Sequence, residues 1–293
     1  MKAVINTPEG PVISETPDPE PARNEALVAV RAFSLNRGEL TLLQARTNNW
    51  RPGQDVAGVV LEAAADGSGP APGTRVTALV EQAGWAERVA VPTDRIAELP
   101  AEVSMEQAAA LPLAGLTALR TLRMGGNLLS RRVLITGANG GVGRFLVELA
   151  TLAGATVTAV ARQDVDAHEV VPDPVAATGP YDLIIESVGG PALTAALGRA
   201  APGATIVLIG SSSGQKTPID IYDFIGHEGA RILPYLSYAH PEPPSVDLQT
   251  LVDLVATGRL HPTLGLVENW SALDKALTAL QDRHIAGKAV LTL

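Results

Sequence analysis

The sequence predicts an α/β protein in which a parallel, doubly wound sheet interrupts a β-rich region. Short apolar runs separated by glycine and proline turns occupy residues 1 to about 100, as in a barrel or a folded sheet. From residue 132 apolar runs alternate with helical periodicity, which is typical of a parallel sheet. The last run, at residues 288–293, has the β-rich character of the first region, and we expect it to fold back onto that region.

Apolar runs predict strands in the first region, and the proline-broken segment 8–21 is interpreted as a loop or an edge. Pro100 then marks a change to helix. Ser104 stands at the N-cap position and Gln107 three residues later, which together form a capping box. Residues 108–122 continue as helix, with interruptions around Pro112 and Gly115. The predicted strands are 1–6, 27–32, 56–63, 75–80 and 85–91.

The second region begins with a strand at 133–136 and a helix at 142–153. Strands and helices alternate from there to a proline-rich hinge at 241–244, and two helices precede the final strand. The further predicted strands are 155–161, 181–186, 204–209 and 231–236, and the further helices are 191–200, 246–260 and 273–280.

A cluster of small residues joins the first of these strands to its helix. Its pattern is A-x-G-x-x-G, with alanine in place of the first glycine of a dinucleotide-binding turn. Gly140 would let the backbone approach a pyrophosphate, and Gly143 would let the helix pack closely on the strand. The helix N-terminus would bind the phosphates through free N–H groups. The alternative is an ordinary glycine-rich turn. The predicted cofactor-binding residues here are Ala138, Asn139, Gly140, Gly141, Val142 and Gly143.

Composition limits the partners and the compartment. The chain has 293 residues, 46% of them hydrophobic, no cysteine and a net charge of −9. The lack of cysteine excludes disulfides and thiolate metal sites and fits a cytoplasmic location. The acidic balance makes nucleic acid and anionic membranes poor partners. We expect neither a signal peptide nor a membrane span, because the N-terminus lacks a basic segment followed by an apolar one and no apolar run reaches about 18 residues.

Eight short segments occur in an order and spacing that together carry a resemblance. They are 35–40 (LNRGEL), 52–60 (PGQDVAGVV), 73–76 (GTRV), 84–87 (GWAE), 111–118 (LPLAGLTA), 137–143 (GANGGVG), 187–190 (SVGG) and 287–291 (GKAVL). The sequence resembles the medium-chain dehydrogenase/reductase superfamily, specifically its zinc-free quinone oxidoreductase and enoyl reductase branch, over nearly the whole chain.

The resemblance implies a GroES-like catalytic domain at 1–114 and 240–293, and a Rossmann NADP(H)-binding domain at 115–239. The nicotinamide would occupy the cleft between them. The resemblance also implies a homodimer in which the last Rossmann strands, at 231–236, pair across two subunits. An apolar edge strand left uncovered would favour aggregation, which agrees with such pairing.

The resemblance also bears on metal binding. Zinc-containing members carry a cysteine where this chain has Asn36, a His-Glu pair where it has Gln54 and Asp55, and a second cysteine near Leu113. A catalytic zinc needs three convergent protein ligands, and the histidines lie elsewhere in the sequence. We therefore predict no metal. The histidines are His168, His227, His240, His261 and His284, interpreted as surface or capping residues.

The end of the second Rossmann strand lacks the acidic residue that binds a ribose 2′-hydroxyl. Ala161 occupies that position, and Arg162 follows it, able to contact a 2′-phosphate through two N–H groups. The sequence therefore favours NADPH. Arg162 as a solvated surface residue is the alternative, and Asp164 or Asp166 could instead bind ribose. Segment 163–178 is proline-containing with little periodicity, so the helix usual here is shortened or lost.

By resemblance, other residues would also contact the cofactor. Thr117 would face the nicotinamide, and Lys288 would lie near the pyrophosphate, with a surface lysine as the alternative. A small polar turn after the fourth strand would approach the cofactor, unless it is only a serine-rich loop. That turn consists of Gly210, Ser211, Ser212 and Ser213.

Reduction of a quinone or an enone needs hydride delivery to carbon and hydrogen-bond donors for the carbonyl oxygen, where charge develops. Asn36, at the vacated metal-ligand position, could donate an amide N–H, and Arg37 could supply charge or face solvent. No side chain is placed as a general acid, so the final proton would come from water. Leu40, Leu43 and Trp50 could line an apolar acceptor pocket, with core packing as the alternative.

Two functions are compatible with these observations. The first is an NADPH-dependent, zinc-independent oxidoreductase acting on a quinone or an α,β-unsaturated carbonyl, with an enoyl thioester as a close variant. The second is a nucleotide-binding relative without redox turnover, a sensor or a structural protein. The shortened segment 163–178 and the missing general acid keep the second open. Oxidation of NADPH by an acceptor would distinguish them.

Overall fold

The computed structural model describes residues 1–293 and divides the chain into two compact units. The β-rich unit comprises Met1–Leu116 and His240–Leu293, and the parallel-sheet unit comprises Thr117–Ala239. The predicted α/β class, with a β-rich domain and a doubly wound parallel sheet, is confirmed. The boundary at residue 116 lies within a helix, close to the boundary predicted at 114.

The strands are β1 (Lys2–Thr7), β2 (Gly10–Glu15), β3 (Glu25–Leu35), β4 (Asp55–Glu62), β5 (Arg75–Leu79), β6 (Arg88–Pro92), β7 (Ile96–Glu98), β8 (Arg132–Ile135), β9 (Thr156–Val160), β10 (Glu169–Val171), β11 (Tyr181–Glu186), β12 (Ala200–Leu208), β13 (Arg231–Pro234), β14 (Leu264–Asn269) and β15 (Lys288–Thr292). The α-helices are α1 (Arg37–Ala45), α2 (Met105–Ala109), α3 (Pro112–Arg123), α4 (Gly141–Leu152), α5 (Pro191–Leu197), α6 (Ser245–Ala256) and α7 (Leu273–Gln281).

The β-rich unit is built on one seven-stranded sheet. Its order is β14-β15-β3-β4-β5-β7, with β6 also paired to β3, and β1 and β2 form a separate hairpin. The last strand of the chain therefore lies beside β3, as its apolar pattern predicted. Because both faces of β3 are largely buried, its apolar residues do not alternate strictly with polar ones. Phe33 on β3 stacks on Trp85, and both are fully buried in the core of this unit.

Several elements of this unit were not predicted. Strand β2 was interpreted as loop or edge, and it pairs with β1 alone, with mostly exposed residues. Strand β7 has only three residues, too few for a periodic signal. Helix α1 fully buries only Glu39, and its leucines, Leu40, Leu42 and Leu43, stay partly exposed. Strand β14, at the sheet edge, alternates between partly buried and exposed residues.

The parallel-sheet unit has six strands in the order β10-β9-β8-β11-β12-β13, and every neighbouring pair is parallel. The chain runs outward from β8 to β10, and then returns to the other side of β8 with β11. Strand order therefore reverses between β8 and β11, and in such sheets ligands bind outside the carboxyl ends of the strands at this point. The turns after β8 and β11 are thus the expected ligand site.

The segment after β9 contains no helix. A loop at residues 161–168 leads directly into the three-residue strand β10. The predicted loss of the helix after the second strand is confirmed, and the proline-containing segment after β10 is likewise irregular. None of the seven α-helices combines the length and apolar character needed to cross a bilayer.

Candidate active site

The turn after β8 is shaped by its glycines. Gly137 has φ +63°, and a Cβ there would lie 2.4 Å from Ser187 Oγ. Gly140 is the N-cap of α4, and a Cβ added to it would meet only the Gly137 carbonyl oxygen, at 3.3 Å. The space beside Gly140 is therefore otherwise open, so a phosphate group can approach the backbone. The first three N–H groups of α4, at 141–143, are those that a helix leaves for an anion.

Gly143 serves close packing instead. A Cβ at this residue would lie 2.4 Å from the Gly137 carbonyl oxygen and 2.6 Å from Ala138 Cα, so only glycine fits. Ala138 is fully buried, and its N–H donates to the Val160 carbonyl at the end of β9. The alanine that replaces the usual first glycine thus fits without strain, and the turn keeps the geometry of a dinucleotide-binding turn.

Asn139 joins this turn to the loop after β9. Its Oδ1 accepts from the N–H of Arg162 at 2.9 Å and of Gln163 at 3.3 Å, and its Nδ2 donates to the Gln163 carbonyl at 3.3 Å. The amide of Asn139 is therefore occupied by the loop. Asn139 therefore positions the backbone of Arg162 and Gln163, beside the predicted ribose site, and its side chain is not free to bind a phosphate.

Two arginines stand at this loop, and the sequence interpretation found only one. Arg162 is exposed with no carboxylate beside its guanidinium, while Asp164 and Asp166 are exposed in the same loop. Arg144, in the first turn of α4, donates from Nη2 to the Asp164 carbonyl at 3.1 Å. Its Nε is buried without a partner. The signal that was missed is the basic residue directly after Gly143.

The turns after β8, β11 and β12 are hydrogen-bonded to one another. Glu186, fully buried at the end of β11, accepts from Thr136 Oγ1 at 3.0 Å and from the N–H groups of Val188 and Gly189. Burial raises the pKa of the Glu186 carboxyl. The serine turn is attached to the turn after β11, because the N–H groups of Ser212 and Ser213 donate to the carbonyls of residues 187 and 188.

The predicted cofactor residues of this unit therefore fall into two sets. The glycine turn and the serine turn, including Gly210 and Ser211, lie at the carboxyl ends of β8 and β12, the two strands that flank β11. Thr117 lies in α3, nearly buried, and its carbonyl accepts from Thr121 Oγ1 at 2.7 Å. No described contact joins Thr117 to the turns, so its contact with a nicotinamide stays a prediction.

A buried polar cluster occupies the β-rich unit where β15, β3 and β4 lie side by side. Asp55 faces Ser34 across the β3–β4 pair, and Ala289 faces Leu35 across the β15–β3 pair, so Lys288 lies next to Asn36. Asp55 is fully buried, Lys288 is 3% exposed and Asn36 is 8% exposed. Lys288 Nζ lies 2.5 Å from Asn36 Oδ1 and 3.2 Å from Asp55 Oδ2.

The charge of Asp55 is matched by four donors. Its Oδ2 accepts from Ser34 Oγ at 2.6 Å, from Asn36 Nδ2 at 2.8 Å and from Lys288 Nζ, and its Oδ1 accepts from the Leu113 N–H at 2.8 Å. A buried ion pair is stable only when its remaining hydrogen-bonding groups are also satisfied. The pair of Lys288 and Asp55 meets that condition.

A second carboxyl lies at the edge of the cluster. Glu39 is fully buried, and its oxygens accept from the N–H groups of Asn36 at 2.8 Å and Gln54 at 3.0 Å. Burial and the negative charge of Asp55 raise the pKa of Glu39 to about 8. At pH 7 Glu39 is therefore largely protonated, and Lys288 and Asp55 are the charged pair of this cluster.

Two predicted roles are corrected here. Lys288 was assigned to the pyrophosphate, but its ammonium donates to Asn36, Asp55 and the Leu35 carbonyl, which takes up its three N–H groups. Arg37 was considered as the charge beside Asn36. Its Nη1 instead donates to the Leu280 carbonyl in the last turn of α7, at 3.1 Å, a favourable place for a cation. The positive charge beside Asn36 belongs to Lys288.

The predicted apolar pocket is not a single pocket. Leu40 and Leu43 lie one turn apart on α1 and line a groove of about 420 Å³ between α1, α7 and the β1–β2 hairpin. Trp50 does not line it. Its Nε1 donates to Gln82 Oε1 at 2.8 Å, and the Arg46 guanidinium lies over its ring. Helix α1, which was not predicted, ends at Ala45, so Trp50 lies beyond it in the chain.

No group of three or more His, Cys, Asp or Glu side chains is arranged to hold a metal ion. At the positions that the resemblance assigns to zinc ligands in other members, Asn36 Nδ2 and the Leu113 N–H donate to the Asp55 carboxylate, and Lys288 bonds both Asn36 and Asp55. The histidines do not converge. His168 Nδ1 accepts from the Val157 N–H, whereas His227 Nδ1 bonds the Ala200 carbonyl.

Comparison with known proteins gives this arrangement its context. Residues 22–101 match the family model described as the alcohol dehydrogenase GroES-like domain, and residues 154–291 match the model described as zinc-binding dehydrogenase. An acryloyl-coenzyme A reductase of Metallosphaera sedula is 26% identical over the full length of both chains. A chloroplast envelope quinone oxidoreductase homolog of Arabidopsis thaliana is 35% identical over 50% of this chain. The chain belongs to the medium-chain dehydrogenase/reductase superfamily, in its zinc-independent quinone oxidoreductase and enoyl reductase branch.

The chain covers only part of the length of some relatives. It is 33% identical to the spectinabilin polyketide synthase system protein NorB of Streptomyces orinoci, matching 93% of this chain but only 13% of that protein. It spans 49% of the Arabidopsis relative. Among solved structures, the Escherichia coli quinone oxidoreductase complexed with NADPH superposes with a TM-score of 0.88 at 21% identity, over the full length of both chains. At that identity the likeness shows the shared fold.

Proposed function

We propose that this chain is an NADPH-dependent, zinc-independent reductase that transfers hydride to a quinone or an α,β-unsaturated carbonyl. The observation that carries the proposal is the open space at Gly140, in a turn where a Cβ at Gly137 or Gly143 would lie 2.4 Å from a neighbouring atom. It supports binding of a nicotinamide dinucleotide, which is also what the superfamily uses. The E. coli structure named above contains NADPH. We infer further that the protein works in the cytoplasm, a reducing compartment that suits a cysteine-free chain.

The preference for NADPH rests on the end of β9. Ala161 is nearly buried and its N–H donates to the Val171 carbonyl, so no carboxylate stands where a ribose 2′-hydroxyl is usually bound. The unpaired guanidinium of Arg162 follows, on a loop held by Asn139. A guanidinium with free N–H groups recognises a phosphate better than a hydroxyl.

The acceptor chemistry rests on Asn36. When bound, the nicotinamide supplies a hydride, that is one proton and two electrons, to an electrophilic carbon of the acceptor. Negative charge then develops on the acceptor's carbonyl oxygen and needs a hydrogen-bond donor. One Nδ2 hydrogen of Asn36 bonds Asp55, and the other, which has no described partner, is the donor that we assign to that oxygen. A proton from water completes the product, because no general acid has been identified.

Replacing Arg162 by alanine is expected to weaken NADPH binding by about tenfold or more, since loss of charge-assisted bonds to a phosphate costs about 1.5–3 kcal/mol. NADH binding should change less than about twofold, because NADH lacks the 2′-phosphate that Arg162 is proposed to bind. A fluorescence titration with each nucleotide measures both. The matched control is Arg131→Ala, which removes an exposed arginine paired with Asp182 in the same unit.

If Arg162→Ala weakens the binding of NADPH and NADH equally, the proposed contact of Arg162 with the 2′-phosphate is contradicted. If the wild type binds neither nucleotide at millimolar concentration, the reductase proposal fails. The helix-free loop at 161–168 favours one alternative, a nucleotide-binding relative without turnover. That alternative predicts binding of NADPH but no oxidation of it by any quinone or enone.

We also propose a homodimer formed through β13. This strand is the last in the parallel sheet and pairs with β12 alone, so its outer edge has unpaired backbone groups. The segments flanking it expose large apolar side chains: Ile221 at 76%, Tyr222 at 75%, Ile225 at 71% and Tyr238 at 82%. Patches of this kind on soluble proteins mark interaction sites.

Sedimentation velocity at micromolar concentration is therefore expected to show a dimer. The double substitution Tyr222→Asp and Tyr238→Asp should shift it to monomer, because it places charge within the apolar interface. Replacing the exposed Tyr222 and Tyr238 by phenylalanine keeps the apolar surface and serves as the control. A wild type that sediments only as a monomer would refute the proposal.

A further inference from the structure

The Asn36 amide is held at both ends by groups of opposite charge. Lys288 Nζ, a donor only, lies 2.5 Å from Oδ1, and the Asp55 carboxylate, an acceptor only, lies 2.8 Å from Nδ2. These partners fix which end of the amide carries the hydrogens. They also fix its direction, since Asp55 and Lys288 belong to the strands on either side of β3.

The ammonium also changes the donor strength of the amide. A cation bonded to Oδ1 draws electron density from the amide nitrogen, and hydrogen bonds in a chain polarise one another. The negative charge of Asp55, which opposes this effect through its bond to Nδ2, is offset by two further donors, Ser34 Oγ and the Leu113 N–H. The remaining Nδ2 hydrogen is therefore a stronger donor than that of a solvated asparagine.

We propose that Lys288 is a positioning residue for the reduction, whose ammonium orients and polarises the Asn36 amide so that its free N–H binds the acceptor's carbonyl oxygen. This inference rests on the proposed function. The Lys288 ammonium touches neither hydride nor proton: it acts through Asn36. The transferred hydride and the proton from water are those already described, and Lys288 keeps its charge throughout.

The test compares Lys288→Met, which removes the charge at similar volume, with Lys288→Arg, which keeps it. We expect Lys288→Met to lower kcat about 20-fold or more, because an interaction made in the transition state is lost. Lys288→Arg should have a kcat between those of Lys288→Met and the wild type. The dissociation constant for NADPH should stay within about twofold, because Lys288 contacts no phosphate in this arrangement. A raised dissociation constant with unchanged kcat would instead restore the pyrophosphate role and overturn the inference.

Coupling between the two residues separates positioning from general destabilisation. The double variant Asn36→Ala/Lys288→Met should be about as slow as Asn36→Ala alone, because residues that act through one another are not additive. If the fold-losses in kcat of the two single variants multiply in the double variant, the inference is overturned. Lys288→Met leaves Asp55 buried without its cation and can fail to fold. The charge-matched variant Asp55→Asn/Lys288→Met then replaces it, with the same low kcat expected.

A readout independent of turnover is the amide itself. With ¹⁵N-labelled asparagine, the side-chain resonance of Asn36, identified by its loss in Asn36→Ala, should lie apart from that of exposed Asn48 and move towards it in Lys288→Met. If the wild type is active but the Asn36 resonance does not move in Lys288→Met, the inference about Lys288 is overturned and the proposed function stands. Absence of turnover in the wild type, with any quinone or enone, overturns the proposed function and the role of Lys288 in it, whatever the resonance shows.

Discussion

Replacing Gly143 by alanine is expected to weaken NADPH binding by about 100-fold or more, which corresponds to about 2.7 kcal/mol of binding free energy. The added Cβ would lie 2.4 Å from the Gly137 carbonyl oxygen and 2.6 Å from Ala138 Cα. Both are backbone atoms of the turn, so no side-chain movement relieves the clash. Either α4 or the turn must shift, and the N–H groups of residues 141–143 then no longer converge on one anion.

The same substitution should lower the free energy of unfolding by about 1–3 kcal/mol, as overpacking does. Gly140→Ala separates the two effects. Its Cβ would meet only the Gly137 carbonyl oxygen, at 3.3 Å, so the fold is kept while the methyl group occupies the approach of the pyrophosphate. Gly38→Ala is the neutral control, because nothing lies within 4 Å of that position. Thermal unfolding and fluorescence titration measure all three. NADPH binding by Gly143→Ala at wild-type strength would refute the assignment of this turn.

Replacing Asn36 by alanine is expected to lower kcat by about 100-fold to 1,000-fold, the usual effect of removing one donor from a developing oxyanion. The dissociation constant for NADPH should change less than about twofold, because Asn36 lies in the β-rich unit and its partners are Lys288 and Asp55. We expect kcat to fall while the dissociation constant for NADPH stays the same, because the amide is proposed to bond the acceptor oxygen more strongly as charge develops on that oxygen.

Steady-state kinetics with a quinone or an enone measure this loss, and thermal unfolding verifies the fold of the variant. Asn48→Ala removes the same side chain from an exposed position of the same unit and should leave kcat unchanged. Wild-type kcat in Asn36→Ala would remove Asn36 from the mechanism, and Lys288 with it. A lower kcat accompanied by a matching loss of NADPH affinity would indicate a structural role instead.

The parallel sheet could be predicted because its signals are local. Buried parallel strands are short continuous apolar runs, and residues 181–186 were predicted with the bounds of β11. The strand, turn and helix around Gly140 are contiguous in the chain, so their order alone indicates a nucleotide turn. The loss of the helix after β9 was also readable, because prolines and missing periodicity are properties of one segment.

Helix α1 was not predicted, although Asn36 and Glu39 form a capping box at its start. Its nine residues bury only Glu39, and a carboxyl is the residue type least expected to be buried. Because α1 was missed, Leu40, Leu43 and Trp50 were assigned to one pocket that the structure does not form. The role of Arg144 was missed for a related reason: its contact with the Asp164 carbonyl depends on how the loop after β9 folds back to α4.

The sequence by itself determined the α/β class, the glycine-rich turn after β8, the absence of an acidic residue at the end of β9 and the presence of Asn36 where the resemblance places a zinc ligand in other members. Each of these depends on one residue or on neighbours in the chain. Only the tertiary structure showed that Lys288 bonds Asn36 and Asp55. These residues are far apart in the chain, and their side chains meet because β15 and β4 both pair with β3. A buried ammonium among oxygens has no local pattern, since its partners come from three strands, and it is stable only when all of them are in place.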